Sequence, residues 1–301
     1  MSPSRLAERR DPLERGRPTP QLITDPETIR QAVLAARTAG KSVGLVPTMG
    51  ALHEGHLSLL ERARTECDVS VVTIFVNPTQ FGPTEDFRKY PRDLDRDVAM
   101  LGRGGCDLVF APTDAAMYAP GHSTFVEVGE LGKVLEGEFR PTHFRGVATI
   151  VLKLFMLASA DRAYFGRKDY QQTIVVRQMV ADLNVPIDIR VCPIIREPDG
   201  LAMSSRNAYL SPDERRRALV LARSLRLAER LVNEGERDVA KLRSLMEREI
   251  NDAGGIDIQY IAFVADGTVI PVEQITGPTT VALATTVGKT RLIDNLLLTP
   301  N

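Results

Sequence analysis

The sequence predicts an α/β protein in two parts, a parallel β-sheet covered by helices over residues 21–193 and a smaller α+β domain over residues 194–301. Three observations lead there. Short, continuous apolar runs rich in Val and Ile alternate with helical patterns as far as about Pro193, as expected of strands buried on both faces. Polar, Gly-containing loops follow several of those runs. Beyond Pro193 the order changes, with two helical patterns first and strand-like runs afterwards.

The elements follow in order. Asp25-Pro26-Glu27 pairs a capping carboxylate with Pro at the first helical position and opens a helix through Ile29–Ala39, which Gly40 stops. Ser42–Pro47 is the first long apolar run, followed by a Gly-containing loop and a helix from about His56 to Glu66. Val69–Val76 is the next run and leads into a loop over Asn77–Gly82. Further strands are expected at Asp107–Ala111, Arg162–Phe165 and Ile187–Val191, with helices near Leu94–Leu101, Val147–Ala158 and Tyr170–Leu183. In the second part, Ser211-Pro212-Asp213-Glu214 reads as a capping box, with apolar Ala218, Leu221, Leu225, Ala228 and Val232 along one face of the helix it starts. Asp238–Asn251 forms another helix, ended by Gly254-Gly255. Ile256, Ile258, Tyr260 and Ala262 alternate with polar neighbours, and Thr280–Val287 and Leu292–Leu298 complete a small set of strands.

Composition narrows the function. Of 301 residues, 38 are Lys or Arg and 39 Asp or Glu, a net charge of -1 that offers no global field for nucleic acid or an anionic membrane. No apolar run approaches the roughly 18–20 residues needed to span a bilayer. Cys67, Cys106 and Cys192 are widely spaced without a CxxC pair, which fits reduced thiols and a cytoplasmic location. Residues 1–20, with five arginines and four prolines, lack apolar periodicity and are expected to be a disordered tail.

The sharpest local signal is Pro47-Thr48-Met49-Gly50-Ala51-Leu52-His53-Glu54-Gly55-His56, at a strand-to-helix transition. Ligands of open α/β sheets sit beyond the carboxyl ends of strands, and free amides at a helix start favour phosphate. His53 and His56 add donors for charge growing on a polyphosphate. They could instead cap the helix. Zinc binding fits poorly, because the helical zinc motif spaces its histidines i, i+4 and these are three apart. Other strand ends gather matching groups: Asn77 and Gln80 after one run, and Gly166, Lys168, Asp169 and Gln172 after another. Amides can donate and accept towards a hydroxylated carboxylate, and Lys168 supplies a compact cation. Met203-Ser204-Ser205-Arg206-Asn207, past the domain junction, reads as an anion grip or as a turn. His143 is a binding candidate or a packing residue, whereas His122 reads as a surface-loop residue. The residues alone thus describe a nucleotide-binding α/β domain with a basic, hydroxyl-rich flap from a second domain.

His53-Glu54-Gly55-His56 resembles the HIGH-type signature of nucleotidyltransferases. The wider set resembles the pantothenate synthetase family: PTMGALHEGH at 47–56, IFVNPTQFG at 74–82, YPR at 90–92, THFRGVATIVLKLF at 142–155, FGRKDYQQ at 165–172, DGLAMSSRN at 199–207 and TRLIDN at 290–295. That resemblance implies a Rossmann-like sheet domain, a C-terminal lid and a homodimer. It implies ATP- and Mg2+-dependent joining of pantoate to β-alanine through a pantoyl adenylate, with release of AMP and pyrophosphate. By position, His53, His56, Lys168, Ser204, Ser205 and Arg206 would serve catalysis at the ATP phosphates. The nucleotide would lie against Pro47, Thr48, Met49, Gly55, Gly166, Asp169, Ile195 and Met203. Pantoate would be held by Met49, Asn77, Gln80, His143 and Gln172. The family's common pattern often places two adjacent acids after Tyr-Pro-Arg; here Arg96 separates Asp95 from Asp97, and Asp97 is the candidate Mg2+ ligand. An adenylyl- or cytidylyltransferase, the rival reading, would need extra cations for a second phosphate substrate, and a non-catalytic nucleotide-binding module would lack one of these His or Lys residues.

Overall fold

A computed structural model of the chain describes residues 19–83 and 85–300. Most of the expected tail, residues 1–18, lies outside the described residues; of its last two, Pro20 is buried.

Six strands form one wholly parallel sheet: β1 (Gln21–Ile23), β2 (Val43–Thr48), β3 (Val69–Ile74), β4 (Leu108–Phe110), β5 (Arg162–Gly166) and β6 (Asp188–Cys192). Their spatial order is β1-β4-β3-β2-β5-β6. From β2 the chain steps outward through β3 to β4, then returns to place β5 on the other side of β2. The order therefore reverses between β2 and β5, which is where an open sheet presents a crevice.

Period-two alternation divides the strands between two cores. Val43, Leu45, Val71, Phe110, Ala163 and Phe165 pack with apolar residues of α1 (Pro26–Thr38), α6 (His143–Ala158) and α7 (Tyr170–Asp182). The residues between them, Val46, Val72, Val109 and Tyr164, pack with Leu59, Leu60 and Ala63 of α2 (Glu54–Glu66) and Leu101 of α3 (Leu94–Gly104). Both faces are covered, so the strands are apolar throughout. The helix starts obey local chemistry: Asp25 accepts from the Thr28 amide, and Asp93 accepts from the Arg96 amide. Two one-turn helices, α4 (Asp114–Met117) and α5 (Glu136–Phe139), are not legible in the sequence as periodic segments.

Helices α8 (Pro212–Asn233) and α9 (Val239–Asp252) cover one face of an antiparallel sheet ordered β7 (Ile256–Ala265), β8 (Thr279–Val287), β9 (Thr290–Leu298). Ser211 and Glu214 close the expected capping box. Every residue of β8 except Thr286 is buried, because its second face meets the parallel-sheet domain. There Arg291 forks onto the Glu136 carboxylate at 2.6 and 2.7 Å, and the Tyr260 hydroxyl donates to the same group at 2.8 Å. Burial by itself would raise the Glu136 carboxyl, but the hydrogen bonds and charge of Arg291 hold it below the usual range. Arg167 reaches Asp266 at 2.7 Å, and Tyr170 donates to the Thr268 carbonyl at 3.0 Å. Among the described residues, no helix is long and apolar enough to cross a membrane.

Leu45 is fully buried at the centre of the parallel sheet. Leu45→Ala is expected to cost about 2–5 kcal/mol of unfolding free energy, read as a shifted denaturant midpoint; a loss under about 1 kcal/mol would mean that the two-faced sheet is not the stabilising core.

Candidate active site

The loop after β2 is bent sharply. Gly50 has φ of 83° and Ala51 φ of 50°, and the latter is a left-handed conformation that a residue with a side chain rarely adopts. A buried carboxylate holds it. Asp97 is 1% exposed, and its two oxygens accept from the Ala51 amide at 2.8 Å and the Leu52 amide at 2.9 Å. This corrects the expectation for Asp97. Its carboxylate faces backbone amides rather than the cleft, so it positions the loop and is not placed as a Mg2+ ligand.

That loop delivers His53 to the N-cap of α2. His53 Nδ1 accepts from the Gly55 amide at 3.2 Å, and His56 Nδ1 accepts from the His53 amide at 3.3 Å. A Cβ on Gly55 would lie 2.9 Å from the His53 ring, so glycine is what lets the ring fold back over the helix start. Both histidines are therefore caps, and capping suits them for ligand work. With Nδ1 accepting, the proton of each neutral ring sits on Nε2. Burial is the main cause that lowers their pKa values, to about 4 for His53 and about 3 for His56, with the nearby Lys168 charge adding to both. In the ligand-free protein they are neutral N–H donors at pH 7.

Across the switch point, β5 ends at Gly166 and α7 begins after Asp169. The Asp169 carboxylate makes no cap hydrogen bond and is half exposed, so it remains free to accept from a ligand. The Lys168 ammonium stands 3.9 Å from it. After β3, Asn77 is used up internally: its Nδ2 donates to Gln80 Oε1 and to the Gly146 carbonyl, both at 3.1 Å, and its Oδ1 accepts from Tyr118. Asn77 thereby aims Gln80, whose Nε2 lies 3.0 Å from Met49 Sδ. His143, expected among the binding residues, takes its alternative packing role. Nδ1 donates to the Gln80 carbonyl at 3.0 Å, and Nε2 accepts from Arg140 at 3.1 Å. Burial and then the Arg140 charge lower its pKa to about 4.

Residues beyond Pro193 complete the lining of the cavity. A hairpin, with the Met203 amide donating to the Ile195 carbonyl at 3.0 Å, carries Ser204, Ser205 and Arg206 over the cleft. Ser205 donates to the Tyr90 hydroxyl at 3.2 Å, and Arg206 forks onto Asp86 at 3.0 and 2.9 Å. Every expected site residue except His143 and Asp97 lines one cavity of about 200 Å³. It is continued between the domains by a wider space of about 1210 Å³, which His143 lines. Sequence reasoning missed the apolar wall of the cavity, formed by Phe75, Val147, Ile150, Val151 and Leu154. Four of them lie on helix α6 and Phe75 follows β3, and all carry the same signature as core, so no local signal separates them. Asp86 was missed as well, since its partner lies 120 residues away.

Fold and cavity define a class of protein: an α/β protein with a cavity at the switch point of its parallel sheet, lined by two histidines, a lysine and a Ser-Ser-Arg segment that precedes a smaller antiparallel-sheet unit. Residues 21–297 match the sequence profile described as Pantoate-beta-alanine ligase. The chain belongs to the pantoate-beta-alanine ligase family, whose members are ATP-dependent ligases. It is 53% identical to the pantothenate synthetase of Moorella thermoacetica over 93% of this chain and 99% of that one. It is 51% identical to that of Thermotoga neapolitana over 92% and 99%. The solved pantothenate synthetase of Thermus thermophilus superposes with a TM-score of 0.88 at 44% identity, covering 92% of this chain and 98% of that one. A pantoate-beta-alanine ligase from Francisella tularensis, solved in complex with beta-gamma ATP and beta-alanine, gives 0.78 at 33% identity over 92% and 97%.

Removing the buried carboxylate tests the loop. Asp97→Ala leaves the buried Leu52 amide unpaired at roughly 1–3 kcal/mol, removes the partner of the part-buried Ala51 amide and frees the Ala51 turn, so ATP-dependent turnover should fall about 10²-fold, as for a misplaced catalytic group. Turnover within about threefold of the parent would show that the turn holds itself. The histidines are tested by pH. The unfolded chain protonates His53 and His56 near pH 6.5 while the folded chain resists until about 4 and 3. Their contribution to ligand-free stability is thus complete above about pH 6.5 and is lost as pH falls towards 4. Denaturant titrations at pH 7, 6 and 5 should show that decline, and His53→Asn with His56→Gln should flatten it; an unchanged slope would refute the neutral-ring assignment.

Proposed function

We propose that this cavity joins pantoate to β-alanine in two steps, using ATP to form an enzyme-bound pantoyl adenylate. The observation that carries the proposal is that one cavity gathers two chemistries. His53, His56, Lys168, Ser204, Ser205 and Arg206 supply its lining with donors and cations. Gln80, Gln172 and the apolar face of α6 line the same cavity. The first group suits phosphates, and the second suits a small acid with two methyl groups and two hydroxyls.

A carboxylate is a poor acylating agent because an oxyanion is a bad leaving group. In the first step the pantoate carboxylate oxygen attacks the α-phosphorus, and the bond from that phosphorus to the bridging oxygen breaks as pyrophosphate departs. Negative charge moves onto pyrophosphate, where the His53 and His56 Nε2–H groups and the Lys168 ammonium can meet it without a rearrangement of their own. In the second step the β-alanine amine attacks the acyl carbon, AMP leaves, and the amine gives up a proton. Asp169 is the candidate acceptor for a ribose hydroxyl. A competing acyl-enzyme on sulfur is disfavoured: no cysteine lines the cavity, and burial pushes the Cys106 thiol up to about 12 and raises Cys192.

Mg2+ is also part of the proposal, as an ion that arrives with the nucleotide. Among the described residues no group of three His, Cys, Asp or Glu side chains could hold a metal, and both oxygens of Asp97 are engaged. The described residues supply no cage, which is common for an ion held largely by phosphates and water. A homodimer is proposed on the family resemblance alone, and light scattering at the mass of one chain would refute it.

Labelled pyrophosphate should exchange into ATP with pantoate present and β-alanine absent, and should not exchange without pantoate. Exchange that requires β-alanine, or a protein-bound acyl group trapped by mass spectrometry, would refute the adenylate route. Gln80→Leu and Gln172→Leu should raise the pantoate KM about 10- to 100-fold with little change for ATP, because a buried substrate hydroxyl loses its partner. Gly146→Ala should act on pantoate in the same sense, since its Cβ would lie 2.5 Å from the Gln80 amide nitrogen. A rise confined to the ATP KM in any of these variants would mean that the two ends of the cavity are reversed.

A further inference from the structure

The two cation-bearing loops of the cavity come from different domains, yet one dipeptide touches both. Asp294 and Asn295 are consecutive residues of β9, 3% and 1% exposed. The Asn295 Nδ2 donates to the carbonyls of Arg167 and Lys168, at 2.9 and 3.0 Å. Its Oδ1 is buried and has no hydrogen-bond partner among the described residues, so these two donated bonds alone orient the amide. Asp294 accepts a forked pair from Arg196 at 2.6 and 2.9 Å. Arg196 in turn donates to the Gly200 carbonyl at 3.1 Å and bridges to Ala202. It thereby shapes the hairpin from which Ser204, Ser205 and Arg206 project. The Asn295 amide nitrogen also donates to Asp294 Oδ1 at 2.8 Å, which ties the two grips together.

We propose that Asp294-Asn295 is the positioning element for ATP activation: it fixes Lys168 of the parallel-sheet domain relative to Ser204, Ser205 and Arg206 of the lid. This inference deepens the reading of the cavity given above and rests on it. Neither side chain lies in the 200 Å³ cavity; both border the wider space that continues it but are at most 3% exposed, with their polar groups turned to Arg196 and the Lys168 loop, so each acts through another residue. The physical reason for such an element is that Lys168 has a flexible stem of four carbons. Its ammonium is placed only if its backbone is, and the two carbonyls held by Asn295 flank the bond that sets the Lys168 direction. Loss of the Asn295 donors frees that peptide and leaves two carbonyls without their partner.

The step affected is the first. Lys168 faces the departing pyrophosphate, which is gone before β-alanine reacts. Asn295→Ala and the near-isosteric Asn295→Asp, which keeps the volume and removes both donors, are therefore expected to slow pantoate-dependent pyrophosphate exchange about 10- to 100-fold. Their pantoate KM should stay within about twofold of the parent, and so should aminolysis of supplied pantoyl adenylate by β-alanine. A purely structural role would slow both half-reactions alike and would overturn the proposal. The decisive measurement is a double-mutant cycle with Lys168→Ala. If Asn295 acts through Lys168, adding Asn295→Ala to Lys168→Ala changes the residual exchange rate by less than about twofold; a further drop equal to that seen in the parent would refute it. Should the parent itself show no pantoate-dependent exchange, the adenylate reading fails on its own. Titration of each variant with ATP then still decides the positioning role: about a tenfold weaker affinity in Asn295→Ala supports it, and equal affinity overturns it.

Discussion

A parallel sheet whose strand order reverses between β2 and β5 leaves the carboxyl ends of those two strands uncovered, because the chain departs from them in opposite directions. The rest of the molecule answers that gap. The loop after β2 brings a helix start with two histidines, and the loop after β5 brings Lys168 and Asp169. The loop after β3 contributes Gln80, fixed by Asn77 and His143 from behind. Cover for the crevice comes from the second domain, whose sheet is pinned by Arg291 on Glu136 and by Asn295 on the Lys168 loop.

Such a crevice concentrates positive charge in a partly desolvated place, and the ligand-free protein must tolerate that. It does so by three devices. The histidines are kept neutral by burial, so they present dipoles rather than charges. Arg206 is neutralised by Asp86, a residue of the segment opposite the lid. Lys168 keeps Asp169 within 3.9 Å. On the proposed reading, a polyphosphate at Arg206 would compete with Asp86 for the guanidinium, and part of its binding energy would go into exchanging one anion for another. That exchange would couple nucleotide binding to the segment around Asp86 and to Tyr90, which Ser205 also touches.

Much of this is legible in the residues. The strands, the long helices, the change of pattern beyond Pro193 and many of the cavity residues can be read because each rests on local chemistry: period, caps, and polar groups at strand ends. Three expected site residues take other partners for one reason. Asp97, Asn77 and His143 look ligand-facing because a polar side chain near a binding motif looks functional, but each is turned towards the protein's own groups. Nothing in the sequence says whether a carboxylate near a loop faces the ligand or the amides of that loop. The apolar wall on α6 is hidden by the opposite ambiguity, since a side chain facing a small cavity and one facing the core have the same composition.

The short helices and the Asp86–Arg206 pair belong to a third group, features that exist only through contacts distant in sequence. Asn295 shows how such a feature can still leave a trace. TRLIDN lies on an otherwise apolar strand, where consecutive Asp and Asn are costly to bury unless every donor is used. Asp294 spends both oxygens, and Asn295 spends both its amide donors on carbonyls of the other domain. Polar residues in a strand that needs none for its own core are there for something outside that core. Here it is the loop that carries Lys168, so the second domain does more than cover the cavity: it holds two carbonyls of a loop that lines it.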